Sequence, residues 1–254
     1  MLKHRVIPAL LLHRGGLVKT RRFSDPRYVG DPLNAIRIFN EKEVDELLLI
    51  DIMASRERRE LDYDEIKSFA TECFMPVCYG GGIRTMEQAE RLFHLGIEKI
   101  SLQTATASNL DLITQVAAKF GSQAVVASLD IKIDWKGVYQ LYWSATGATD
   151  KNWRAHLDRV VAAGAGEILL NAVDRDGMMN GVDVKLIREA ARAVDIPLVA
   201  LGGVGSLDHI KDAVDAGASA VAAGSFFVFH GKHRAVLITY PKYASLEALL
   251  SSTA

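Results

Sequence analysis

The sequence predicts a single (β/α)8 (TIM) barrel over residues 1–254, assembled from two similar half-barrels. Short apolar runs of the fully buried kind alternate with amphipathic segments of roughly a dozen residues, the rhythm of repeated βα units around a parallel sheet. The chain also repeats itself. At a constant offset of 121 positions, "ELLLIDIMAS" from Glu46 lies on "EILLNAVDRD" from Glu167, Pro76 on Pro197, Gly81-Gly82 on Gly202-Gly203, Gly96 on Gly217, and Thr104 on Ser225. Its 254 residues match the roughly 250 typical of such a barrel. An open, doubly wound sheet is the alternative, but it does not predict a duplicated half.

The elements follow in order. "RVIPALLLHRGGLVK", Arg5 to Lys19, reads as a buried strand that delivers Leu11 at its working end, turns on glycine and runs out to a lysine. "GDPLNA" starts the first helix, with Asp31 as cap and Pro32 in the first turn, where a missing N–H costs nothing. "DELLLID", "MPVCYGGG" and "EKISLQT" are the next strands, and "TMEQ" from Thr85 and "SNLD" from Ser108 read as capping boxes that open helices. "AVVASLDI" is the fifth strand. After it, "IKIDWKGVYQLYWS" alternates around Lys136-Gly137 and looks like an inserted hairpin. "GEILLNAV", "IPLVALGG" and "SAVAAGS" complete the set. No Pro/Ser-rich linker or charge run interrupts the series, so no domain boundary is expected.

Composition removes several function classes. The balance of 30 basic against 31 acidic side chains leaves no electrostatic footprint for nucleic acid or an anionic membrane. Cys73 and Cys78 lack C-x-x-C or histidine spacing and read as buried free thiols, which suits a reducing compartment. The N-terminus lacks the apolar core of a secretory signal, and no apolar run reaches the roughly 18 residues of a membrane span, so a cytoplasmic protein is expected. None of the seven histidines has ligand spacing with an acid or cysteine, so no metal site is expected.

The repeat carries chemistry at its ends. In each half one strand finishes in a glycine pair, Gly81-Gly82 or Gly202-Gly203, and the next in a hydroxyl, Thr104 or Ser225. Glycines let backbone N–H groups approach an anion closely, and a hydroxyl followed by a helix N-terminus completes a phosphate cradle. Two cradles on opposite sides of one mouth suit a ligand with a phosphate at each end. Tight corners alone account for one such pair, less readily for a duplicated set. Asp130, in "ASLDIK", stands at the C-terminal end of a strand, where barrels place functional groups.

These blocks, with "GDP", "NEKEVDEL", "YGGGIRT", "KFGSQAVV", "AGAGEILLNAVDRDG", "LGGVGS" and "AAGSFFVF", resemble in content and spacing the cyclase subunit of imidazole glycerol phosphate synthase, over residues 1–230. The resemblance implies that ammonia from a partner glutaminase, a glutamine amidotransferase subunit, enters at the barrel bottom and passes through its centre. At the top it meets a nucleotide-derived substrate carrying two phosphates, and cleavage and ring closure give imidazole glycerol phosphate and an aminoimidazole carboxamide ribotide. The family needs no organic cofactor. Four residues match its ammonia gate, Arg5, Glu46, Lys99 and Glu167, two positive and two negative charges near strand starts that can satisfy one another. Barrel bottoms also close with salt bridges for stability alone. Lys19 and Asp130 match catalytic positions. Gly81, Gly82, Gln103, Thr104, Asp176, Gly177, Gly202, Gly203, Gly224 and Ser225 fall on phosphate sites, and Asp51 is retained.

The mouth departs from the family where its first aspartate belongs: Leu11 stands there, and leucine cannot move a proton. Ala9, Gln103, Met178 and Leu201 are further departures, and in the apolar cases the mouth loses a group that could hold substrate. Losing one acid–base group forfeits about 10²–10⁴ in rate. His13, in a turn, and His209, on an outer helix face, are poor substitutes. The tail "FFVFHGKHRAVLITYP" replaces a polar helix and, with Leu11 and "HRGGLVKT", looks like a paralogous branch linked to bacterial surface polysaccharide (O-antigen). There the barrel pairs with a glutaminase and a third, nitrogen-accepting enzyme that places the nitrogen on a sugar as an amidine. Three functions are therefore expected in descending order: an ammonia-channelling subunit with crippled cyclase chemistry, a working cyclase-lyase of histidine synthesis, and a phosphate-sugar isomerase like the family's sister enzyme. Phosphate ions or a phosphate-bearing small molecule are the expected mouth ligands.

Overall fold

A computed structural model describes residues 4–251. In chain order the elements are β1 (Arg5–His13), β2 (Gly16–Arg21), β3 (Ser24–Gly30), α1 (Pro32–Glu41), β4 (Leu47–Asp51), α2 (Ala54–Glu57), α3 (Tyr63–Glu72), β5 (Val77–Gly80), α4 (Met86–His94), β6 (Lys99–Leu102) and α5 (Asp111–Phe120). The second half runs β7 (Val125–Ile133), β8 (Tyr139–Trp143), β9 (Ala148–Asp150), α6 (Trp153–Ala162), β10 (Glu167–Ala172), α7 (Val184–Ala191), β11 (Leu198–Leu201), α8 (Leu207–Asp215), β12 (Ala220–Ala223), α9 (Ser225–Val228), β13 (Phe229–His230), β14 (Ala235–Val236) and α10 (Tyr243–Leu250). Eight parallel strands, β1, β4, β5, β6, β7, β10, β11 and β12, pair in that order, and β12 returns to β1 to close a (β/α)8 barrel. Every apolar run singled out in the sequence lies on one of these strands.

Closure separates two cores. Outward-facing strand residues and the inner helix faces form the large shell that includes Phe39, Phe69, Leu92, Trp153 and Phe227. Inward-facing residues Ile7, Leu48, Cys78, Val126, Leu169, Val199 and Ala222 form a separate cluster on the barrel axis. Period-two alternation along the strands makes the split: Arg5, Ile7, Ala9 and Leu11 share the inner face of β1, and Glu167, Leu169 and Asn171 share that of β10.

The first strand of each half carries an antiparallel extension above the barrel: β2–β3 on β1 and β8–β9 on β7. The hairpin expected at Lys136-Gly137 is present. Asp134 Oδ1 accepts from the backbone N–H of Lys136 and Val138, each at 2.9 Å, and Gly137 takes a φ of +80°. Asp31 caps α1 through Asn34 N at 2.8 Å, with Pro32 as the first helical residue, and Thr85 and Gln88 form the expected capping box of α4. Ser108 does not start a helix. Residues Thr104–Ala107 form a 3-10 turn that Ser108 closes, and α5 begins at Asp111 without a side-chain cap. Thr104, the first residue of this turn, lines the mouth. The apolar tail runs down the outside, where the Tyr240 hydroxyl donates to Val6 O at 2.8 Å before α10 begins.

Candidate functional site

The barrel bottom is closed by four charges. The Arg5 guanidinium bonds to both Glu46 and Glu167, and Lys99 Nζ lies 2.9 Å from Glu46 Oε2 and 3.0 Å from Glu167 Oε2. Both glutamate side chains are 6% exposed. Burial alone would lower the Lys99 pKa, but the attraction of Glu46 and Glu167 outweighs it and raises the net value. Directly above the ring lies a cavity of about 10 Å³ lined by Ile7, Leu48, Cys78, Val126, Leu169 and Val199, about the room one water-sized molecule needs. Cys78 is buried there, and burial holds its thiol well above the usual range; Cys73 is partly buried and is pushed to about 12 by the same effect. Both cysteines are free.

The opposite end opens into a cavity of about 240 Å³. Gly81, Gly82, Gln103, Thr104, Asp176, Gly177, Gly202, Gly203, Gly224 and Ser225 all line it, with Lys19, Asp130 and Leu11. The glycine pairs are required by geometry: Gly81 has a φ of +104°, and a Cβ there would strike the carbonyl of Asp51. The hydroxyl of Thr104 donates to Gln103 Oε1 at 2.9 Å, while Gln103 Nε2 donates to Tyr142 O of β8 at 2.9 Å. Gln103 therefore ties one expected cradle to the β7–β8 hairpin. Across the mouth, Phe23 between β2 and β3 meets Tyr142, ring centroids 6.1 Å apart, so the two extensions touch.

Leu11 is half-buried on the mouth wall, beside Ile50 of β4 and Val18 of β2. Lys19, on β2, is 5% exposed; its ammonium donates to Ala9 O, and burial lowers its pKa to about 8 despite the pull of Asp176. Asp130 is 6% exposed, and burial raises it to about 7, against the hydrogen bond from Asn171 and with help from Asp176. Asp176 accepts from Thr20 Oγ1 at 2.8 Å, and burial raises its pKa as well. A carboxyl and an amine poised near neutrality in one cavity can exchange protons with a ligand at physiological pH.

Several expected positions differ. Asp51 lines the mouth but serves its own loop: Oδ1 accepts from Met53 N and Ala54 N, each at 3.0 Å, and Oδ2 pairs with Arg59 at 2.7 Å. Met178 does not line the cavity; its loop turns outward, and its carbonyl accepts from Arg234 at 3.2 Å. His13 ends strand β1, not a turn, because the hairpin register pairs it with Gly16. His209 faces inward across the first turn of α8, where Nδ1 accepts from Gly205 N at 3.1 Å, and neither histidine lines the mouth. Asn171, Ser128 and Ser101, buried polar residues lining the mouth, were missed. Counting by twos from Glu167 along its strand would have found Asn171.

Fold and interior define a duplicated (β/α)8 barrel whose axis runs from a ring of charges to a glycine-rimmed mouth. The chain belongs to the histidine biosynthesis family: the family model described as "Histidine biosynthesis protein" matches residues 5–234, and its relatives place it with the cyclase subunits of imidazole glycerol phosphate synthase. It is 52% identical over 253 residues to the Pseudomonas aeruginosa PAO1 protein named "Putative imidazole glycerol phosphate synthase subunit hisF2", covering 97% of this chain and 99% of that one. A correspondingly named protein of Leptospira borgpetersenii is 46% identical over 98% of this chain and 99% of its own, and the Vibrio vulnificus hisF3 protein is 47% identical over 95% and 94%. Among the described residues no helix is long and apolar enough to cross a membrane.

Proposed function

We propose that this barrel receives ammonia from a glutamine amidotransferase subunit at the Arg5–Glu46–Lys99–Glu167 ring and conducts it to an acceptor at the mouth, its own ring-closing chemistry being lost or crippled. One observation carries the reading. The axial path retains its charged ring and apolar lining, while the first strand ends at the mouth in Leu11, which offers no proton. Four charges that neutralise one another can hold a wet bottom closed and still part for a small neutral molecule, which crosses the apolar lining at far lower cost than its charged form would. Such a subunit fits the branch of the family tied to surface polysaccharide, where a third enzyme takes the nitrogen. The phosphate cradles would then hold a phosphate-bearing ligand or phosphate ions.

A working cyclase is the second reading. Asp130 near 7 and Lys19 near 8 in one cavity favour it, since the pair could share the proton transfers that two aspartates perform in the family. Single-turnover conversion of the family's two-phosphate substrate with saturating ammonium salt, beside Leu11→Asp, separates the two. Free ammonia removes the need for a partner. A silent wild type with activity gained by Leu11→Asp is the expected result and shows that the cradles still bind. A wild-type rate near that of Leu11→Asp would establish the cyclase and overturn the first reading.

A further inference from the structure

Asn171 stands on β10 two residues beyond Leu169 and four beyond Glu167, so alternation brings it to the inner face above the apolar passage. The residue is 6% exposed. The amide nitrogen donates to Asp130 Oδ1 at 3.3 Å, and the amide oxygen Oδ1 finds no donor among the described residues. A buried carbonyl left in that state costs about 1–3 kcal/mol, and such groups are few in a packed protein. Asn171 also meets Asp130 in register across β10 and β7, so an orphaned oxygen and a carboxyl, both able to accept, share one wall of the 240 Å³ mouth. Below them Leu48, Val126, Leu169 and Val199 offer side chains with nothing to hydrogen-bond.

A pair of acceptors at the end of an apolar passage calls for a small ligand made of donors. Water offers two and turns lone pairs on the carboxylate; ammonium offers four and carries the complementary charge. We propose that Asn171 and Asp130 form an ammonia-receiving site where the passage opens into the mouth, holding the nitrogen as ammonium until it meets its acceptor. Ammonia arriving neutral takes the proton of the Asp130 carboxylic acid, which leaves ammonium against a carboxylate, and release as ammonia returns that proton. The other charged groups in reach are Asp176, whose field opposes ionisation of Asp130, and Lys19, whose charge Asp176 attracts. This inference rests on the channelling reading for the source of the nitrogen, but the site is complete in the barrel alone.

The test is a carbon-13 NMR titration of the Asp130 carboxyl in the full chain, in ammonium chloride against potassium and tetramethylammonium chlorides at equal ionic strength. Ammonium alone should lower the midpoint of Asp130, saturating in roughly the millimolar range. Asn171→Leu should weaken that effect about 10-fold; it also takes away the hydrogen bond to Asp130 Oδ1, so the midpoint of Asp130 without ammonium should itself rise. Asn171→Ala decides the matter should the leucine variant not fold: a weakened ammonium effect supports the site, and an unchanged one overturns it. Equal action of all three cations, or full ammonium binding by Asn171→Leu, also overturns it. Failure here leaves the channelling reading standing, since turnover at Leu11→Asp tests that separately.

Discussion

At the scale of single residues, the mouth is a set of ionisable groups taken out of water. Asp130 has a folded pKa near 7 against an ordinary 3.8, so its neutral form is the one the fold favours. The sign follows: stability from this group is full at low pH and is lost as pH rises from about 4 through about 7, because the unfolded chain gives up the proton first. Asp130→Asn keeps a partner for Asn171 and removes the ionisation. Between pH 5 and pH 8 the variant should gain on wild type by about 2–3 kcal/mol, at about 1.4 kcal/mol for each unit of the shift crossed. Urea midpoints of both proteins at the two pH values check this. A constant difference would mean that Asp130 ionises as freely as it does in the unfolded chain.

At the scale of elements, what was legible in the sequence is what repeats or alternates. The eight barrel strands were readable because each is a short apolar run bounded by glycine or a cap, and the 121-residue offset tied the halves together. The helix at Ser108 was misplaced because a capping pattern is local, whereas a 3-10 turn over Thr104–Ala107 uses Ser108 as its closing residue and defers the helix to Asp111. The contact between the two extensions, Phe23 on Tyr142, was invisible because it joins residues 119 positions apart on opposite sides of a ring that the chain has to close first. The glycines carry a test of the same distinction. Gly81 and Gly137 both have positive φ, but a Cβ at Gly81 would meet the Asp51 carbonyl, while one at Gly137 would meet nothing within 4 Å. Gly137→Ala should therefore cost about 1 kcal/mol of backbone strain, and Gly81→Ala at least about 2–3 kcal/mol more, since strand ends β4 and β5 must part. Chemical denaturation of the two variants measures the gap, and equal costs would show that the β4 and β5 ends yield freely.

At the scale of the whole molecule, a closed barrel turns its axis into a third environment, neither solvent nor helix-packed shell. The inner cluster from Ile7 to Ala222 is sealed below by the charge ring and opens above at Asn171 and Asp130. Ammonia is mostly protonated in neutral water, so on the proposed reading a path through this lining would deliver a nucleophile that bulk solvent supplies only in small fraction. Ala222 is fully buried on the axis, and its side chain is small. Ala222→Leu would fill the 10 Å³ space above the ring and overpack it at a cost of about 1–3 kcal/mol, within what a domain of this size tolerates. In a complex with the glutaminase and acceptor, nitrogen from amide-labelled glutamine should reach the acceptor undiluted by unlabelled ammonium when the axis is open. With Ala222→Leu, glutamine hydrolysis should continue and the label should fall to the level of the ammonium pool, while added ammonium still serves the acceptor at the mouth. Label dilution already in the wild-type complex would mean that ammonia travels through solvent, and that the ring and lining are architecture alone.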